Sequence, residues 1–174
     1  ALQTIVSRNV DPQDSAVVTV GSLQSGTTHN IIPHSAVLKL NMRTFKAEVR
    51  EAVKQRIDKL VHAQAESFGV KASIAVDFGY PVTVNDPQQT EFALQIARDV
   101  FGSDKVADPA QVKSAMGSED FSFMLEEVPG CYLWLGTATG KNDYSVHHPL
   151  YQFNDACISS GATYWVKLTE SFLR

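Results

Sequence analysis

Residues 48–68 limit the possible folds more than any other stretch. Val49, Val53, Ile57, Leu60, Val61, Ala65 and Phe68 recur at three- and four-residue steps, which predicts one long amphipathic helix. Gly69 then offers the left-handed backbone that ends such a helix. The flanking stretches alternate with period two. Ahead of the helix, over 36–45, Ala36, Leu38, Leu40 and Met42 share one face, while Val37, Lys39, Asn41 and Arg43 share the other. Behind it, over 71–78, Ala72, Ile74, Val76 and Phe78 alternate with Lys71, Ser73 and Asp77. A helix held between two such strands must lay its apolar stripe on their sheet.

The upstream residues extend this unit. A strand is expected over 15–22, with Ala16, Val18 and Val20 on one face, and a long polar turn over 24–33. Residues 1–8 read as a helix with Leu2, Ile5 and Val6 together, stopped at Asp11-Pro12. The order helix, strand, strand, helix, strand is that of a βαββαβ unit without its first strand. That unit is an antiparallel sheet with both helices on one face. No cap precedes the opening helix, so the chain reads as beginning in mid-element.

Tyr80 to Pro87 carries two prolines and an Asn-Asp-Pro turn, which places a domain boundary there, giving domains 1–86 and 87–174. Beyond it the pattern predicts a helix over 89–101 stopped by Gly102, and a helix over 119–127 capped by Ser118. A strand buried on both faces is expected over 131–135, then a flexible loop over 137–143. A last helix over 155–173 would bury Ile158, Ala162, Trp165, Leu168 and Phe172. Helix, buried strand, loop and helix form the tail of an α/β layer.

The formal net charge of −4 and a pI near 5.7 disfavour nucleic acid or an anionic membrane as partner, since both select basic surfaces. No apolar run is long enough to cross a bilayer and no signal-peptide pattern opens the chain, so a cytoplasmic protein is expected. Cys131 and Cys157 lie in apolar surroundings and read as buried free thiols.

Chemistry concentrates in the stretch from Asp143 to Asp155, where His147 and His148 stand in a loop stiffened by Pro149. An imidazole so placed can serve a metal, although a pair of plain loop histidines has the same spelling. His62 falls on the polar side of the long helix and His34 follows Pro33 in a turn, so both read as solvated. Glu119-Asp120 suits a helix N-terminus by charge alone. No His-Glu-x-x-His, Cys-x-x-Cys or Gly-x-Ser-x-Gly pattern is present, and Gly136-x-x-x-Gly140 lacks the Lys-Ser/Thr of a phosphate loop. Arg43, near the end of a strand on its wet face, can fork onto a carboxylate. Asn30, ahead of Ile31-Ile32-Pro33, has an amide able to bond a ligand or its own backbone.

Thr28-His29-Asn30-Ile31-Ile32-Pro33, with Arg43 thirteen residues after Asn30, resembles the lid-domain signature of the zinc amidohydrolase and exopeptidase family. That family includes hippurate hydrolase, indole-acetyl-amino-acid hydrolases, aminoacylase and carboxypeptidase G. Residues 2–8, Met116-Gly117-Ser118-Glu119-Asp120-Phe121 and residues 146–155 resemble it in the same order, closest to the hippurate-hydrolase-like branch. The resemblance implies a two-domain α/β subunit. A lid built on the βαββαβ unit, lacking its first strand here, also makes a homodimer, and the C-terminal helices and buried strand end a zinc-exopeptidase catalytic domain. Its substrate would be a small N-acyl amino acid or similar amide. Its cofactor would be a dinuclear divalent-metal site of zinc, with manganese or cobalt as alternatives.

Residue by residue, the resemblance implies that His147 is the C-terminal metal ligand and that Asn30 and Arg43 bind substrate, in some members across the dimer. His148 falls where the family more often has Asn or Ser and takes no role from it. His29 is not the family's lid histidine. Gly117 and Glu119 match a segment bordering the substrate pocket, and Gln152 stands where Asp is common. The family's His-x-Cys-Gly-His-Asp segment, its Glu-Glu pair with the general base and its other metal histidine all match positions ahead of residue 1. The expectation is therefore a C-terminal part of such an enzyme, inactive alone, with no catalytic residue of its own and metal not retained. Exposed apolar surface is expected on 131–135 and on the last helix. The competing reading is a non-catalytic βαββαβ dimerisation or ligand-binding module.

Overall fold

A computed structural model describes residues 1–140 and 143–174. Lys141 and Asn142, in the loop expected to be flexible, lie outside the described residues. The elements are α1 (Thr4–Asn9), β1 (Ala16–Ser25), β2 (Ala36–Thr44), α2 (Ala47–Ser67), α3 (Pro87–Phe101), α4 (Phe121–Glu127) and α5 (Ala156–Phe172). Two compact units divide them: Ala1–Val82 with Ala115–Ser118, and Thr83–Ser114 with Glu119–Arg174.

In the first unit β1 and β2 pair antiparallel, from Ala16 opposite Thr44 to Ser25 opposite Ala36, with a register shift between Val20 and Ser22. The bulge falls at Gly21, where a strand most readily accepts an extra residue. Ile5 of α1, Val18 of β1, and Val49, Val53 and Ile57 of α2 form the core, flanked by Met42, Leu60 and Val61. These residues fall on the expected helix and strand faces, but Val20, Ala36, Leu38 and Leu40 of those strand faces are exposed, because the core reaches only the end of the hairpin nearest Val18 and Met42. α2 ends in a Schellman motif: Val70 N–H donates to Ala65 C=O and Gly69 N–H to Glu66 C=O, with Gly69 at φ +67°.

The strand expected over 71–78 differs. The sheet of the described residues has two strands, and 71–78 is in neither. A strand exists by virtue of its neighbour, and in a βαββαβ sheet the last strand lies beside the first. No strand of the described residues lies beside 71–78 to receive it. Val76 and Phe78 are consequently exposed, and the Phe78 ring lies 5.4 Å below the Lys54 ammonium.

In the second unit Asp86 caps α3, its Oδ1 accepting from Gln88 N–H and Gln89 N–H at 2.9 Å each, with Pro87 as the first helical residue. The Asn85-Asp86-Pro87 turn is thus a helix start. α3 and α5 meet through Phe92 against Phe172, Phe101 stacked on Tyr164, and the Tyr164 hydroxyl donating to Ala93 C=O at 3.0 Å.

Four expectations are corrected here. Residues 131–135 form no strand, and Trp134 is 76% exposed, because no described strand flanks them. The side-chain amide of Asn85 stands in for a neighbour, accepting from Tyr132 N–H at 2.8 Å and donating to Tyr132 C=O at 3.0 Å. Ser118 does not cap α4. The helix starts two residues later than expected, and the Glu119 carboxylate accepts from Phe121 N–H at 3.2 Å. α5 leaves Ile158, Trp165 and Phe172 exposed and turns Cys157, Tyr164 and Leu168 inward. It is apolar on two stripes, and α3 covers only one. The exposed apolar surface expected on 131–135 and on the last helix is present. Cys131 and Cys157 are free but only half-buried.

Candidate functional site

The hairpin of the first unit carries two of the candidate residues at its two ends. Residues 25–33 line an open groove in the turn between β1 and β2. Gly26 turns the chain at φ +75°, and the Ser25 hydroxyl donates to Ser35 C=O at 3.0 Å to close the base of the turn. Within it the Thr28 hydroxyl donates to Asn30 Oδ1 at 3.0 Å. That bond fixes the amide orientation and turns the Nδ2 donors away from Thr28.

Arg43 stands opposite Val17, at the other end of the hairpin. Its Nε donates to Asn41 Oδ1 at 3.0 Å, two residues back on the same wet face of β2, and its Nη1 donates to Met116 C=O. Two of the five guanidinium N–H groups are thereby committed inside the unit. From Ala36 to Arg43 the strand advances seven steps, about 23 Å at ~3.3 Å each. The hairpin therefore does not bring Asn30 and Arg43 together.

His147 lies in the second unit, where the chain makes two turns in succession. His148 N–H donates to Ser145 C=O at 3.1 Å, and Tyr151 N–H donates to His148 C=O at 2.9 Å. His147 takes φ +73°, a conformation that no other non-glycine among the described residues adopts. The third position of a type II turn demands it, and a β-carbon there is strained. His147 is exposed. The described residues hold no group of three or more His, Cys, Asp or Glu able to bind a metal ion. His147 therefore belongs to no such group among the described residues.

Glu119 forms a contact that spacing could not reveal. Its carboxylate accepts from the Tyr132 hydroxyl, which holds the acid below its ordinary value, with Phe121 N–H adding to the effect. The same bond pushes the Tyr132 phenol up. Ser122, fully buried, donates to Glu119 C=O at 2.5 Å. Glu119 thus fixes the start of α4 to residue 132, thirteen positions on. Asn154, just ahead of α5, donates its Nδ2 N–H to Thr137 C=O at 3.0 Å. Burial raises the Cys131 thiol, with Asp86 adding to it, so this sulfur stays protonated and unreactive at neutral pH. The remaining histidines are exposed, and His62 Nε2 lies 3.6 Å from Asp58 one turn back.

Comparison with known proteins gives a consistent set. The family described as Peptidase family M20/M25/M40 matches residues 3–171. A hippurate hydrolase of Campylobacter jejuni is 35% identical over 100% of the chain and 44% of its own length. An N-acetyldiaminopimelate deacetylase of a Geobacillus strain is 36% identical over 95% of the chain and 42% of its own length. An N-acetyl-L-cysteine deacetylase of Bacillus subtilis is 38% identical over 91% of the chain and 36% of its own length. The chain spans less than half the length of these curated relatives. Among solved structures, a Bacillus subtilis dinuclear metal-binding peptidase from the M20 family is 26% identical, with a TM-score of 0.68 over 88% of this chain and 41% of that one. A Staphylococcus aureus protein described as an aminohydrolase reaches a TM-score of 0.76 at 23% identity, over 99% of this chain and 44% of that one, a likeness in fold.

Proposed function

This chain belongs to peptidase family M20/M25/M40, and we propose that it works as part of a metal-dependent amidohydrolase cleaving N-acyl amino acids or related small amides. The observation that carries this reading is the end-to-end match to relatives whose names all specify an N-acylated amino acid as the compound cleaved. Residues 1–86 are the lid and dimerisation domain, and 87–174 the end of the catalytic domain. His147 supplies one ligand to a divalent-metal centre, zinc in the first instance, with manganese and cobalt as alternatives. Its remaining ligands and general base come from polypeptide outside this chain. Arg43 supplies the fork for a substrate carboxylate and Asn30 an amide for the reacting carbonyl or carboxylate.

The hairpin geometry supports a homodimer. With Asn30 and Arg43 at opposite ends, about 23 Å of strand apart, one small substrate meets both only if they come from different subunits. β2 also has an edge that pairs with no described strand, which recruits a second chain. Sedimentation at rising concentration is expected to show a dimer; a monomer throughout would remove that part of the reading. We place the protein in the cytosol; no helix among the described residues is long and apolar enough to cross a membrane.

The decisive experiment replaces the matching 44% of the Campylobacter hippurate hydrolase by this chain. A folded hybrid should hydrolyse hippurate or another N-acyl amino acid in a metal-dependent way and lose that activity on His147→Ala. A folded hybrid inactive across an N-acyl amino acid panel would refute the assignment. The 174-residue chain alone is expected to release no product with zinc, manganese or cobalt added.

A further inference from the structure

Seven prolines punctuate the chain, and four of them follow a polar residue: Asp11-Pro12, Asp86-Pro87, Asp108-Pro109 and His148-Pro149. In the three aspartate cases Oδ1 accepts the N–H of the residue after the proline, at 2.8 Å from Gln13, 2.9 Å from Gln88 and 3.0 Å from Ala110. This is the Asx-turn, in which a short side-chain oxygen satisfies a backbone donor two residues on. At the fourth site the bond is made by an imidazole: His148 Nδ1 accepts from Leu150 N–H at 3.1 Å. The ring is held from its face as well, stacked on Tyr144 with centroids 4.2 Å apart and planes 10° from parallel.

His148 is also the residue shared by the two successive turns, the last of the one around His147 and the first of the one around Pro149. Its side chain therefore locks the second turn while its N–H closes the first. The first turn is the one that needs support, because His147 sits there at φ +73° without being a glycine. Such a conformation persists only where its surroundings over-determine it.

We propose that His148 is a positioning residue for His147: its Nδ1 replaces the oxygen of an Asx-turn and, with the Tyr144 stack, fixes the left-handed backbone from which His147 projects. The consequence for His147 as a ligand rests on the functional reading above; the turn itself does not. A nitrogen that accepts carries no proton, so the neutral His148 ring is the Nε2–H tautomer and its Nδ1 is withdrawn from any metal.

The test is made on the metal-free 174-residue chain by NMR, at a pH well above the ordinary imidazole pKa, so failure of the amidohydrolase reading leaves it intact. The wild type should show the Nε2–H tautomer at His148, a slowly exchanging Leu150 amide and a His147 backbone coupling characteristic of positive φ. His148→Ala should speed Leu150 exchange roughly tenfold, the worth of one net hydrogen bond, and average the His147 coupling. His148→Asn, which restores a side-chain acceptor without an imidazole, should return both to within about twofold of wild type on the same argument. An Nδ1–H tautomer, an unchanged His148→Ala, or a His148→Asn that behaves like the alanine would each overturn the proposal.

Discussion

Glu119 shows how much of a local contact can be invisible in spacing. It was legible as a charge at a helix start, and it does accept from Phe121 N–H, but its main partner is the Tyr132 hydroxyl. Only the folded chain places that phenol there. The folded acid titrates below its ordinary 4.5, so its contribution to stability is complete above that value and is lost as pH falls through the lower folded one. Glu119→Gln should abolish this acid-side loss and bring the Tyr132 phenol back down toward its ordinary 10.0, followed by ultraviolet titration. A phenol that still titrates high in the variant would show that burial, and not Glu119, raises it. His147 stands out in the sequence as a candidate, but its conformation is not legible there, since a turn geometry with positive φ is written in glycines and asparagines and here is imposed on a histidine.

At the scale of elements, legibility follows from whether an element carries its own stabilisation. α2 does: its stripe at three- and four-residue steps and the glycine after it predict 48–68, and Ala47–Ser67 is found. β1 and β2 do so as a pair, since hairpin strands lie next to each other in sequence. Residues 71–78 and 131–135 have strand patterns of the same quality and no described strand beside them, and pattern alone cannot close a ladder. The Gly69 stop can be measured cleanly. A β-carbon built there meets nothing within 4 Å, so Gly69→Ala tests backbone conformation alone. It should cost about 1 kcal/mol in denaturant unfolding of the first unit. A cost near zero would mean that the Schellman bonds do not require the left-handed residue.

For the whole molecule, the apolar surface is the informative quantity. Trp134, Ile158, Trp165 and Phe172 are each at least 65% exposed, a density of large side chains that a chain working alone would be expected to cover. The 174-residue protein should bind a hydrophobic dye under native conditions, with both tryptophans emitting as solvated indoles. Absence of dye binding in a folded monomer would mean that these side chains find cover within the chain. The contact between Arg43 and Met116 has another consequence, in time. It joins residues 73 positions apart, whereas β1, β2 and α2 are assembled from neighbours. Closing a loop of that length costs about 4 kcal/mol of chain entropy, against ~1 kcal/mol returned by a single bond. On that balance the hairpin and α2 are expected to form before the Met116 bond, with Arg43 Nη1 still in water. Segment Ala115–Ser118 is the part of the first unit that lies furthest along the chain from the hairpin, so it is expected to join last. Arg43 therefore joins its two partners at different stages: the Nε bond to Asn41 comes with the strand, and the Nη1 bond to Met116 is expected to follow it.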